Sequence, residues 1–319
     1  MKKNQQTTHL FILALLLLSN VGLCKSLKDT CYTGLYLKNI YDMRPDEYAC
    51  TADYWIWFNY KDSVQDPLEN VEIINAKQTA YTDQYHTKDL KGMLVANESG
   101  RVTLTHNWEL ENYPFDKQSF NIQVEAGLDT SKMVLVPCER PFRIYKDLNM
   151  PGWTILSSKI NQRLVTYDSD FGESRLHGRS TFSRIIYVVN AKRNGWGLFF
   201  KLILGVYVSF FVAYLVFFLP PANEQRFSLS LGALFAAVAN KYVTDSNIPT
   251  SISFSFIDQV HVFTFVFILA TLVLSVISLR IDKSGKHKKS KDFNRLCIWI
   301  VPAAYFMLNA VLILLADNG

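Results

Sequence analysis

The sequence lacks the local signatures of catalysis. It has no nucleophile elbow, no phosphate-cradling glycine loop and no histidines at metal-ligand spacing; its six histidines are scattered. No enzyme activity, catalytic residue, cofactor or bound metal is therefore expected. Collagen-like, heptad and 20–50-residue repeats are also missing, which excludes fibrous and solenoid architectures. Charged residues make up only 19% of the chain while 49% is apolar, which excludes a disordered protein. Long apolar runs are absent between residues 25 and 195, but they fill residues 10–23 and most of the chain beyond 196. That distribution argues against a purely soluble enzyme and against a bare polytopic transporter. The expectation is an extracellular all-β sandwich over 25–195, followed by a membrane domain over 196–319.

Cysteine is scarce, at five of 319 residues. Cys24 lies where Lys2, Lys3 and the short apolar core Leu10–Leu18 place the end of a secretory signal peptide over residues 1–24. Cys297 falls in an apolar span. Cys31, Cys50 and Cys138 remain, and their pairing stays open. Residues 34–43 and 48–60 form a predicted hairpin turning at Arg44–Glu47, which puts Cys50 opposite about Tyr41 and far from Cys31.

The net positive charge is concentrated in one segment. Residues 280–295 hold Arg280, Lys283, Lys286, Lys288, Lys289, Lys291 and Arg295 against Asp282 and Asp292, a net of five that equals the whole chain's +5. The run sits between apolar spans, so it is expected to be a cytoplasmic loop rather than a nucleic-acid surface. Four spans are predicted at about 198–219, 227–243, 260–279 and 297–315, each near the length of a bilayer crossing. An external start then returns the C-terminus outside, for a multi-pass protein of the inner or plasma membrane.

The soluble stretch reads as strands. Asp53–Tyr60 is aromatic and β-favouring, Val102-Thr103-Leu104 follows a turn, and Phe120–Val124 alternates with period two. Residues 153–167 and 179–189 form a predicted pair. In the second span, Ser228, Gly232, Phe235, Ala239, Tyr242 and Ser246 recur at steps of four and three, so they share one helical face. Two readings of that face stand: close packing through small residues, or the lining of a pore.

The order of these parts resembles one family. Tyr113-Pro114-Phe115-Asp116-Lys117-Gln118, placed ahead of a four-span block, is similar to the membrane-facing loop of pentameric ligand-gated ion channels. The flanking cysteines of animal receptors are replaced by His106 and Phe120, as in prokaryotic members. Gly34–Asp62, Gly152-Trp153, Lys192-Arg193 and Asn247-Ile248-Pro249 match in chain order. Two departures stand out. The segment between Asp66 and Tyr113 is short and has no Trp-x-Pro, and the first span has Gly205 near the place of the family's proline.

The resemblance implies a homopentamer in the lipid bilayer, with the second spans around a central path for monovalent cations. Glu224 would ring the inner mouth and Ser228 the narrow end above it. Phe235 would form a central apolar gate, Gly232 and Ala239 wider zones, and Tyr242 an outer constriction, with Ser246 beyond. Coupling would pass through Asp46 and Glu47 of the hairpin tip, Tyr113, Pro114, Phe115 and Asp116 of the loop, Arg193, and Pro249 of the turn after the second span. Arg193 is expected to pair with Asp46, Glu47 or Asp116. Trp55, Phe142, Tyr145, Tyr167 and Phe171 would line a ligand site near the acidic Asp168, Asp170 and Glu173. That suits a small cationic agonist, protons or a divalent cation. A non-conducting membrane sensor is the alternative to a channel.

Overall fold

The computed structural model describes residues 30–61, 65–148, 150–173, 178–247 and 254–318. The signal-peptide assignment and Pro249 lie outside them. Nine strands form two sheets: β1 (Thr30–Arg44), β2 (Ala49–Tyr60), β3 (Val71–Ile73), β4 (Ala76–Lys88), β5 (Leu94–Thr105), β6 (Lys117–Asp129), β7 (Val134–Ile144), β8 (Trp153–Tyr167) and β9 (Ser180–Arg193). One sheet has the order β4-β5-β2-β1-β7 and the other β3-β6-β9-β8. Among the described residues, only the β1–β7 pairing is parallel.

Alternation sets the core. Tyr54, Ile56, Phe58 and Tyr60 point inward from β2, and they meet Phe120, Ile122 and Val124 of β6 and Ile185, Tyr187 and Val189 of β9. Each large apolar side chain buried there stabilises the sandwich by roughly 1.5–3 kcal/mol. The predicted hairpin forms, with a turn at Pro45–Glu47 and Tyr41 opposite Thr51. Cys31, Cys50, Cys138 and Cys297 are free thiols, and burial pushes the Cys50 thiol up to about 12. Strand β4 carries no apolar pattern (AKQTAYTDQYHTK), because it is an edge strand and nearly all of it is exposed.

Four helices follow: α1 (Trp196–Tyr214), extended by a 3-10 turn to Phe218, then α2 (Gln225–Asn247), α3 (Phe256–Lys283) and α4 (His287–Asn318). Three of them, α1 with its extension, α3 and α4, are long and apolar enough to cross a membrane. The second predicted span is a helix, but it falls short of that measure. Ser228, Ser230, Asn240, Lys241, Thr244 and Asp245 dilute its apolar residues. The predicted basic loop is corrected too. Residues 280–283 end α3 and 287–295 begin α4, with only Ser284-Gly285-Lys286 between them. Gly285 turns the chain at φ +79°, where a side chain is disfavoured. Arg280 and Lys283 fall in the last turn of α3, where cations complement the helix dipole. Ser255 and Asp258 form a reciprocal capping box at its start.

Candidate functional site

Helix α2 has two faces. Arg226, Ser230, Ala233, Ala237 and Thr244 are buried against the other helices. Glu224, just before the helix, and Ser228, Gly232, Phe235, Ala239, Tyr242 and Ser246 are all exposed. Phe235 and Tyr242 are 65% and 74% accessible, so neither ring packs within its own chain. Leu231 and Val238 flank this stripe on one side and Ala236 and Val243 on the other, all exposed.

Arg226 has its charge on the opposite side from Glu224. It is fully buried, and its guanidinium donates to the Val216 carbonyl (2.9 Å), Asn294 Oδ1 (3.1 Å) and Ser278 Oγ (3.4 Å). Gly205 of α1 serves close packing. A Cβ there would collide with the side-chain amide of Asn240 on α2. The Asn240 Oδ1 in turn lies 3.2 Å from Nε2 of the buried His261 on α3. Lys241 of α2 pairs with Asp258 at the start of α3 (2.7 Å) and also with Asp245.

The loop after β5 joins sandwich to helices. Leu110, Tyr113 and Phe115 belong to the same apolar cluster as Phe199, Ile203 and Phe256. The Phe115 ring lies 5.1 Å from Trp196, 5.6 Å from Phe199 and 5.9 Å from Phe256. The Phe256 N–H donates to the Glu111 carbonyl at 2.7 Å. Gly195 admits this approach, since a Cβ there would strike the Pro114 carbonyl.

Beneath the loop, Arg193 grips Asp116 with two bonds of 2.6 and 3.1 Å. The carboxylate is 1% accessible and also accepts from Gln118 Nε2. The guanidinium lies 4.2 Å from the Trp153 ring centroid and 5.1 Å from that of Tyr113. Of the three acids expected for Arg193, the partner is Asp116. Glu47 pairs instead with Arg44, and Asp46 lies on the exposed hairpin turn. His106 and Phe120, at the places of the resembled family's loop cysteines, stack at 4.8 Å. Burial holds His106 below its ordinary value of 6.5, opposed by a hydrogen bond to Gln118.

The five predicted ligand residues fall in three places. Tyr167 and Phe171 come together with Phe182, all three ring pairs being 5.7–5.8 Å apart. The Tyr167 hydroxyl donates to Glu125 (2.8 Å) and accepts from Arg184 (2.7 Å), and Arg184 also binds Glu125 (2.7 Å). Trp55 lies on the outer face of the other sheet, with Tyr85 edge-on at 6.4 Å and the Lys38 ammonium 5.1 Å above its ring. Phe142 packs against Tyr187 and the core rather than in an aromatic box, because β7 turns it inward. Tyr145 is exposed just past the end of β7.

Phe182, Glu125, Arg184 and Lys38 were not foreseen from the sequence. The pairing of Glu125 with Arg184 depends on a β6–β9 register across 59 residues. Among the described residues, no group of three or more His, Cys, Asp or Glu is placed to hold a metal ion. No protein-family model matches the chain, and no curated protein matches it.

Proposed function

We propose that this chain forms a homopentameric, cation-selective ion channel in which five α2 helices surround the ion path and the β-sandwich controls its opening. The observation that carries the proposal is the exposed face of α2. Seven residues at pore spacing, from Glu224 to Ser246, face away from the chain's own core on a helix less apolar than its three neighbours. Such a face suits water better than lipid, and its apolar flanks suit contact with adjacent copies. A ring of Glu224 carboxylates attracts cations, and a ring of Phe235 stops flow by dewetting. Arg226, tied back to Val216 and Asn294, leaves the Glu224 charge unopposed on that face.

The ligand would bind between copies. Trp55 and the Tyr167–Phe171–Phe182 group lie on the outer faces of different sheets, so one chain cannot close both around one molecule. A small cationic agonist at Trp55 must displace the Lys38 ammonium. Protons are the agonist that needs no such displacement. The bulk of Phe235 and Tyr242 on the same face favours the second reading, a non-conducting sensor.

The test is current through planar bilayers holding the purified protein in asymmetric salt, with external pH and small amines scanned. Gated current reversing near the cation potential, with weaker selectivity in Glu224→Gln, is the expected result. Reversal near the anion potential removes the role given to Glu224. Silence in both the wild type and Phe235→Ala, with pentamers present in the same sample, favours the sensor.

A further inference from the structure

A cleft of about 390 Å³, apolar over most of its wall and polar at Lys192, Asn194 and Asp317, opens where the sandwich meets the first turn of α1 and the last turn of α4. Thr154, Leu156, Lys192, Asn194, Trp196 and Asp317 line it. Lys192 and Asp317 stand side by side there. The Lys192 ammonium donates to Asp317 Oδ1 (2.7 Å) and to the Asp317 carbonyl (3.0 Å). An ammonium has three donors, so one N–H remains. Both side chains keep about a third of their surface open. The Asn194 amide, held at its oxygen by Thr154 (2.9 Å), adds further N–H donors on the exposed rim.

Below the cleft two stripes run down the helices. On α1 they are Trp196, Phe200 and Phe211, all exposed. On α4, Asp317 is followed at helical spacing by Ile313, Ala310 and Phe306. The stripes converge where the Phe211 and Phe306 rings meet at 5.8 Å. From Trp196 to Phe211 the α1 stripe is about 22 Å long at 1.5 Å per residue. A bilayer leaflet is ~15 Å of hydrocarbon, so one acyl chain fits. Ala310 is the smallest residue of the α4 stripe, and a tryptophan at the head of the α1 stripe suits the membrane–water boundary.

Arg193 in the cleft wall is already held by Asp116, so Lys192 and Asp317 are left to offer one cation and one anion, which match a zwitterion better than a net anion. From this geometry we infer that the cleft binds a phospholipid whose head group ends in a primary ammonium. The phosphate takes the remaining Lys192 N–H and the Asn194 amide, and the head-group ammonium donates to the free Asp317 oxygen. A choline head group has no N–H and cannot make the last bond. The inference rests on α1 and α4 crossing a bilayer and is independent of ion conduction.

The test is native mass spectrometry of the delipidated full-length protein titrated with dioleoyl phosphatidylethanolamine, its N-methyl and N,N-dimethyl forms, phosphatidylcholine and phosphatidylglycerol. Wild type should hold phosphatidylethanolamine about tenfold more tightly than phosphatidylcholine, the worth of one charged hydrogen bond, with affinity falling along the methyl series. Asp317→Asn should erase that preference. Ala310→Trp should weaken every lipid while keeping the preference, which separates groove filling from head-group recognition. Equal binding of phosphatidylethanolamine and phosphatidylcholine by wild type overturns the inference, and so does tightest binding of phosphatidylglycerol. The wild-type methyl series decides the question even if a variant fails to fold.

Discussion

The Arg193–Asp116 pair makes a sharp prediction about stability. Arg193→Ala leaves a carboxylate that is 1% accessible with Gln118 as its remaining side-chain donor. Stripping a partner from a buried ion pair costs about 3–5 kcal/mol. Asp116→Ala leaves a guanidinium that is 17% accessible and lies over Trp153 and Tyr113, so its cost is smaller, about 2–3 kcal/mol. The double variant strands no charge and should melt no lower than Arg193→Ala alone. At about 2–4 °C per kcal/mol, Arg193→Ala should lower the melting temperature by roughly 6–20 °C. The assay is thermal unfolding of the four proteins in one detergent, followed by far-UV circular dichroism and tryptophan fluorescence. Strictly additive losses across the cycle would show that the two groups do not act as a pair, and the reasoning would fail.

Other positions allow equally direct tests. Gly205→Ala should cost about 1–3 kcal/mol through collision with Asn240, and Asn240→Ala should restore most of the lost melting temperature. An undiminished loss in the double variant would refute the contact. His106 is held below 6.5 by burial, so its contribution to stability is complete above about 6.5 and declines as pH falls through that value toward its folded one. Between pH 7 and 5 the melting temperature of His106→Phe should therefore fall less than that of the wild type; parallel curves would contradict this. Lys38→Ala frees the Trp55 ring, and quenching of tryptophan fluorescence by small quaternary amines should then occur at several-fold lower concentration. No change would mean that Lys38 does not occupy the ring face in solution.

Local pattern made several of these features legible. Strand β8 was bounded in the sequence as it is in the fold, because a polar loop begins directly after Tyr167. The stripe on α2 was readable because helical spacing alone decides which residues share a face. Features that depend on partners distant in sequence were not readable. Neither Lys38 over Trp55 nor Phe182 beside Tyr167 has a local signal, since each follows from strand register. Phe142 was misplaced because an aromatic residue on a strand looks the same whether it faces core or solvent. The continuation of α3 and α4 through the basic segment was hidden by charge, which marks exposure to water and says little about helix.

The modest apolarity of α2 bears on how the chain is made. A segment that partitions weakly into hydrocarbon cannot hold itself in a membrane as it leaves the ribosome. It needs company, and α1 supplies part of it through the Val216 carbonyl that Arg226 binds and the close contact of Gly205 with Asn240. Its other anchors are Asn294 on α4, Ser278 and His261 on α3, and Asp258 at the head of α3, all of them synthesised later. In the proposed membrane topology its full set of contacts is complete only after α4 has entered. In that topology the growing chain carries a half-committed segment until α4 arrives, so α4 acts on assembly as well as on the finished protein.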